Sequence, residues 1–225
     1  ANDPLEADAF SLHSRPGAPR IIYLNFVGAI VENDPYWNRP PFADSFAVPE
    51  YDTDGQPGFS SQERREIVAI WRAVSEDFLP FDVDVTTEAP APGVLDVKGV
   101  GVQAHIGGRS TDIGYQDNIA GVAYLGVFGT PRVNRCFTFS KACGTIMCVW
   151  DTISHELGHT LSLAHDGCRT SGNKACFGEY YLGQGIWSPI MGYGETGLSQ
   201  WDRGEYADAN NQQNDLAIIS GYIPR

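Results

Sequence analysis

The sequence predicts a mixed domain of the α/β or α+β class. Three observations carry this. The first two thirds hold several short runs of β-branched and aromatic residues, two segments show apolar residues at helical spacing, and the last third has little regular patterning before a closing helix.

The elements follow in order. "PRIIYLNFVG" (19–28) has the content of a buried strand. A loop rich in Pro and Asp, with Trp37 in it, extends to about Gly58. In "SSQERREIVAIWRAVSEDF", Ile67, Ile70, Trp71, Val74 and Phe78 recur at helical spacing; Ser60 with Glu63 offers a capping box, and Pro80 stops the helix. "FDVDVTTE" (81–88) alternates, with Phe81, Val83 and Val85 on one face and Asp82, Asp84 and Thr86 on the other. "KGVGVQAHIGG" (98–108) and "IAGVAYLGVFG" (119–129) read as strands, and "RVNRCFTF" (132–139) as a weaker one. A second helix is expected from about Met147 to Leu161, and "LSQWDRGEYADANNQQNDLAIIS" (198–220) as one or two helices.

Length and composition narrow the class. At 225 residues and 42% hydrophobic content, the chain can bury one core, so residues 1–225 are expected to form a single domain. A net charge of −13 argues against nucleic acid or an anionic membrane surface as partner, because both would be repelled. No segment approaches the ~20 consecutive apolar residues of a membrane span. The chain opens on "ANDPLEADAF", with neither initiator Met nor signal peptide, and reads as a mature or trimmed form. Five cysteines, Cys136, Cys143, Cys148, Cys168 and Cys176, show no CxxC spacing, which argues against a structural zinc cluster. In an oxidising compartment they would give two disulfides and one leftover thiol, with Cys168–Cys176 the preferred pair. The alternative is a cytosolic chain with buried free thiols.

The densest chemistry lies in "DTISHELGHTLSLAHDG" (151–167), which holds three of the five histidines. In "HELGH", His155 and His159 are four apart, so on a helix they share one face and both imidazoles can reach one ion. Glu156 points to the side of that face, where it can contact a water at the metal without taking a ligand position. Zinc lowers the pKa of such a water from ~15.7 toward ~7, and a carboxylate takes the proton as the water attacks a carbonyl. A catalytic zinc needs a third protein ligand. His165, six residues past His159, can supply it only if the helix ends and the chain reverses near Ser162. Asp166 and Glu179 are rival third ligands.

"HELGHTLSLAH" resembles the zinc-binding signature of the metzincin metalloendopeptidases, in which HExxH is followed by xxGxxH and later by a Met-containing turn. "SPIMGYG" supplies the later element with Met191, and Asp166 directly after the third histidine resembles the adamalysin or reprolysin-like branch. Ser162 departs from the pattern, standing where glycine is usual. The resemblance implies an upper subdomain (about 15–161) with a twisted mixed sheet and two long helices. Below it would lie an irregular lower subdomain (about 162–225) with a C-terminal helix. It also implies zinc on His155, His159 and His165, Glu156 as general base, Met191 as an apolar floor, and Asp166 and Ser162 in the supporting turn. Tyr193 matches the spacing at which some metzincins place an oxyanion-binding tyrosine; the plainer role is a pocket wall. Gly121, Val122, Ala123, Tyr124, Leu125 and Gly126 resemble the edge strand that binds extended substrate.

Together these imply a secreted, monomeric zinc endopeptidase acting on protein or peptide substrates. A non-catalytic binding or adhesion module, or a zinc amidase for cell-wall or glycosylated substrates, are the alternatives. His105 reads as a structural histidine, and His13 as part of a flexible, solvated N-terminal arm. Calcium is a second candidate cofactor. In "YDTDG" (51–55), however, Asp52 and Asp54 read more readily as a turn, because Pro57 stands where an EF-hand loop needs glycine and Glu63 already caps a helix. Asp202, Glu205 and Asp208 read as a solvated face.

Overall fold

The computed structural model describes residues 4–194 and 197–225. The apolar run after Pro19 forms β1 (Ile21–Asn25), buried along nearly its whole length. The Pro- and Asp-rich loop that follows is more ordered than its composition suggests. It contains an antiparallel hairpin of β2 (Ala29–Glu32) and β3 (Ser45–Val48), whose apolar residues sit beside Trp37. Then come α1 (Ser61–Asp77), β4 (Asp84–Thr86), β5 (Gly101–Ile106), β6 (Gly121–Ala123), β7 (Arg135–Thr138) and α2 (Ile146–Thr160). The last third contains only two-to-three-residue strands, β8 (Cys176–Phe177), β9 (Tyr180–Tyr181), β10 (Trp187–Pro189) and β11 (Leu198–Gln200), before α3 (Asp215–Tyr222).

Five strands form one mixed sheet in the order β4-β1-β5-β7-β6, all parallel except β6. Its two faces follow from strand alternation. Val102, Ala104, Ile106 and Cys136 face the core made with α1 and α2, while Phe137 faces a second cluster with Trp37, Phe42 and Phe46. His105 lies on that second face, stacked on Phe137 at 5.1 Å. Complete burial drives its pKa down to about 3, so it is a neutral structural histidine, as expected.

α1 starts where the capping box places it. The Ser60 and Glu63 side chains each accept from the other's backbone N–H, and Glu63 also accepts from Thr53 N at 2.7 Å. The 51–55 segment is a turn. Asp52 accepts from the Asp54 and Gly55 amides and ion-pairs with Lys141 at 3.1 Å.

Three expectations need correction. The segment 198–220 is helical only at its end, because Gly204 and Asp208 take positive φ (73° and 67°) and interrupt any helix before Asp215. The acidic residues in that segment do not form one solvated face. Asp202 is buried, and Asp208 accepts from Thr170 and Asn173 to hold the Cys168–Cys176 loop; only Glu205, paired with Arg203, is exposed. The N-terminal arm is anchored rather than flexible. Ser14 and Leu12 exchange backbone hydrogen bonds with Val85 and Thr87. His13 bridges Asp84 (2.6 Å) and Glu88 (2.7 Å), so β4 is covered on both faces.

The cysteines form two disulfides, Cys143–Cys148 and the expected Cys168–Cys176, and leave Cys136 as a buried free thiol. Among the described residues no helix is long and apolar enough to cross a membrane.

Burial works against a charged His13, but the Glu88 and Asp84 carboxylates outweigh it and raise its pKa. A histidine whose folded pKa is raised adds stability that is full below its unfolded value of ~6.5 and is lost as pH rises through the folded pKa. His13→Ala should therefore lower Tm by more at pH 6 than at pH 9. An equal deficit at both, measured by thermal melts, would show that the bridge carries no charge.

Candidate active site

α2 begins at Thr145, whose hydroxyl accepts from Cys148 N, and presents His155, Glu156 and His159 toward the end of the helix. The helix stops where the sequence requires. Leu161 is the C-cap, Ser162 takes φ +72°, and the Ser162 and Leu163 amides donate to the His159 and Gly158 carbonyls at 2.9 and 3.0 Å. This is a Schellman closure with serine in the left-handed position usually held by glycine. The strain of that φ is met by a specific contact: Ser162 Oγ lies 2.6 Å from the Tyr222 hydroxyl on α3. A Cβ on Gly126 would stand 2.7 Å from the same Oγ, so a bare glycine opposite makes room for the serine hydroxyl.

The reversal brings His165 back to the other two histidines. One ring nitrogen from each of His155, His159 and His165 lies within 4.8 Å of the others. Every Nδ1 is held from outside: His155 Nδ1 donates to Ile190 O at 2.9 Å, His159 Nδ1 donates to Leu163 O at 2.8 Å, and His165 Nδ1 meets Glu179 Oε2 at 2.9 Å. A neutral imidazole with Nδ1 protonated keeps a bare lone pair on Nε2. Burial holds the His155 pKa well below its ordinary value and that of His159 down to about 4, with the neighbouring histidines adding to both shifts. His159 Nε2 and His165 Nε2 then face each other at 2.9 Å as two acceptors. A cation placed among them relieves that repulsion, so this donor set fits a metal that favours imidazole nitrogen.

The rival third ligands sit elsewhere. Glu179 is the outer partner of His165, and the Asp166 side chain lies with Asp202 and Asp215. The Asp166 backbone braces the turn, donating to Met191 O at 2.8 Å and accepting from Tyr181 N.

Glu156 is buried, and its Oε2 has no hydrogen-bond partner; burial raises its pKa to about 8. Gly121 leaves it space, since a Cβ there would stand 2.5 Å from Glu156 Oε1. Gly158, inside "HELGH", has the same function on the opposite side: a side chain there would collide with the sulfur of Met191, which is fully buried against the helix.

Beside Glu156 opens a cavity of about 480 Å³, bordered by His155, Gly121, Phe177, Tyr180 and Tyr193. Tyr193 lies in its wall, 49% exposed, with its ring 6.3 Å from Phe177. The phenol packed on the histidines is another one, Tyr180, at 4.5 Å from His165 and 5.9 Å from His155 between ring centroids. Sequence reasoning missed it, because its spacing from the motif passes through a disulfide loop whose path only the fold defines. Of the expected substrate strand, only Gly121, Val122 and Ala123 pair, at the sheet edge. Tyr124 turns into the Trp37 cluster, Leu125 is exposed, and Gly126 at φ +69° is tied by its amide to His159 O.

A helix with paired histidines, a reversal delivering a third, and a buried carboxylate beside them make a candidate metalloprotease site. Residues 105–202 match the model of metallo-peptidase family M12, reprolysin type, a stretch that runs from within β5 to just past β11. No curated protein matches the chain. The match covers the histidine motif and the Met191 turn, and with the fold it supports a metalloprotease similar to the reprolysin-like metzincins.

Ser162→Ala keeps the left-handed φ and loses the Tyr222 contact, and should cost about 1–2 kcal/mol in denaturant melts. Ser162→Gly loses the contact but relieves the φ, so its stability should stay near wild type. Equal losses in both would deny the compensation.

Proposed function

We propose that the protein is a secreted zinc endopeptidase that cleaves extended protein or peptide substrates. The observation that carries this reading is the convergence of three imidazoles with every Nδ1 engaged from outside. In this reading His155, His159 and His165 hold zinc. When bound, zinc supplies a Lewis acid that polarises a carbonyl and makes water acidic near neutral pH.

The chain's own residues would do the rest. Gly121–Ala123, on the sheet edge, offer backbone groups to which an extended peptide can add as a further strand. This lays the peptide past Glu156, whose partnerless Oε2 accepts a proton from water as it attacks the scissile carbonyl. The same carboxyl then passes that proton to the departing amine. Tyr193, exposed in the cavity wall, is the proposed donor to the developing oxyanion, while Tyr180, packed on His155 and His165, positions the imidazoles. Two disulfides support an oxidising compartment.

Glu156→Gln should retain one zinc per chain and lose about 10²–10⁴-fold in kcat on denatured casein. His165→Ala should lose the metal, and a zinc chelator should abolish cleavage in the wild type. Zinc retained in His165→Ala, or full activity in Glu156→Gln, contradicts the reading. Tyr193→Phe should lower kcat with little change in KM, whereas a rise in KM alone reduces Tyr193 to a pocket wall.

A further inference from the structure

Three carboxylates converge outside the histidine site. Asp166 follows His165, Asp202 follows β11, and Asp215 opens α3, yet one oxygen from each lies within 4.8 Å of the others. They are 1%, 8% and 0% exposed. Each also has one oxygen sealed from solvent and without a hydrogen-bond partner: Asp166 Oδ2, Asp202 Oδ1 and Asp215 Oδ1. Further contacts fix the cluster's geometry, among them a side-chain hydrogen bond between Asp166 and Asp202 and one between Asp166 and Asn211. Asp215 Oδ2 accepts from Asp202 N, Asp202 Oδ2 accepts from Gly204 N, and Asp215 N donates to Asp202 O, all at 3.1 Å. None of the ion pairs among the described residues involves any of the three.

Three buried carboxylates at this separation repel one another strongly, and no cationic side chain is paired with them. Their charge must be met either by protons or by a bound cation. We propose that Asp166, Asp202 and Asp215 form a buried site for one hard divalent cation of the calcium class, separate from the three-histidine centre. An all-oxygen, three-carboxylate donor set suits such an ion and lacks the nitrogen or sulfur ligands that select zinc. The three partnerless oxygens are the ligand atoms, and carbonyls or water complete the shell. The 51–55 turn is the weaker rival: Glu63 is already committed to the Ser60 and Thr53 amides, and Asp52 to Lys141.

The location gives the cation a purpose. It would tie the residue after His165 to the segment behind Trp201, whose ring packs by Gly158, and to the first turn of α3, which carries Tyr222 to Ser162. Filling the site would hold the third histidine in place from behind without touching the reaction.

The test uses the purified, zinc-loaded protein after removal of other divalent ions with a calcium-selective chelator. Calcium titration by calorimetry should show one site, and saturating calcium should raise Tm by about 5–10 °C. Terbium should replace calcium with emission sensitised by the neighbouring aromatic rings. Asp202→Asn and Asp215→Asn should each abolish the calcium response and leave zinc content unchanged, while Asp52→Asn leaves both intact. If the aspartate variants fail to fold, the wild-type titration against Asp52→Asn still decides. No calcium, magnesium or manganese uptake by the wild type would show that protons neutralise the cluster and overturn the proposal. Binding lost only in Asp52→Asn would overturn it in favour of the 51–55 turn. Zinc content and Glu156-dependent cleavage are read separately, so failure here leaves the protease reading standing, and the reverse also holds.

Discussion

The site depends on one backbone event, the left-handed turn at Ser162. Before it the chain is a helix that presents His155, Glu156 and His159 in adjacent turns. After it the chain runs back toward the same face, and His165 meets His159 nitrogen to nitrogen. A helix continued through residue 162 would carry His165 well around the axis from the other two. Much of the C-terminal part is organised around keeping this turn closed. Gln213 donates to Ser162 O and accepts from Ala164 N, Asn211 donates to Ala164 O, and Tyr222 meets the serine hydroxyl. Residues far along the chain are thus recruited to hold a conformation that serine adopts reluctantly.

A second layer orders the imidazoles. Each ring is pinned through Nδ1 by a group from another segment: the residue before Met191, the chain just past the turn, and Glu179 beyond the disulfide loop. Such outer contacts set the tautomer and ring plane before any ion arrives, so little ordering remains to be done on binding. The tightness shows in the glycines. Gly158 admits Met191 under the helix, and Gly121 admits Glu156 under the edge strand. In both places a methyl group would occupy space that the site needs.

Much of this was legible in the residues. Both long helices, strands β1 and β5 and the break at Ser162 follow from periodicity, capping chemistry and histidine spacing. The β2–β3 hairpin was not, because its apolar residues are scattered among Pro, Asp and Asn and its strands pair across a long loop, Glu32 opposite Ser45 and Ala29 opposite Val48. The anchoring of His13 by Asp84 and Glu88 depends on contacts across about seventy residues, which local patterns do not report. Tyr180 and the Asp166–Asp202–Asp215 cluster were hidden for the same reason. In sequence, Asp202 and Asp215 sit in a polar tract that looks solvated, and only the fold turns their side chains inward. Side-chain chemistry close along the helix could be read; pairings between distant loops could not.

The proposed metal centre is formed by three imidazoles, and by neither Asp166 nor Glu179. X-ray absorption at the zinc edge tests it most directly, because imidazole rings leave outer-shell scattering that carboxylates lack. Three nitrogen ligands at about 2.0–2.1 Å are expected, each with an imidazole pattern. A spectrum with two imidazoles and a carboxylate in the third protein position would contradict it.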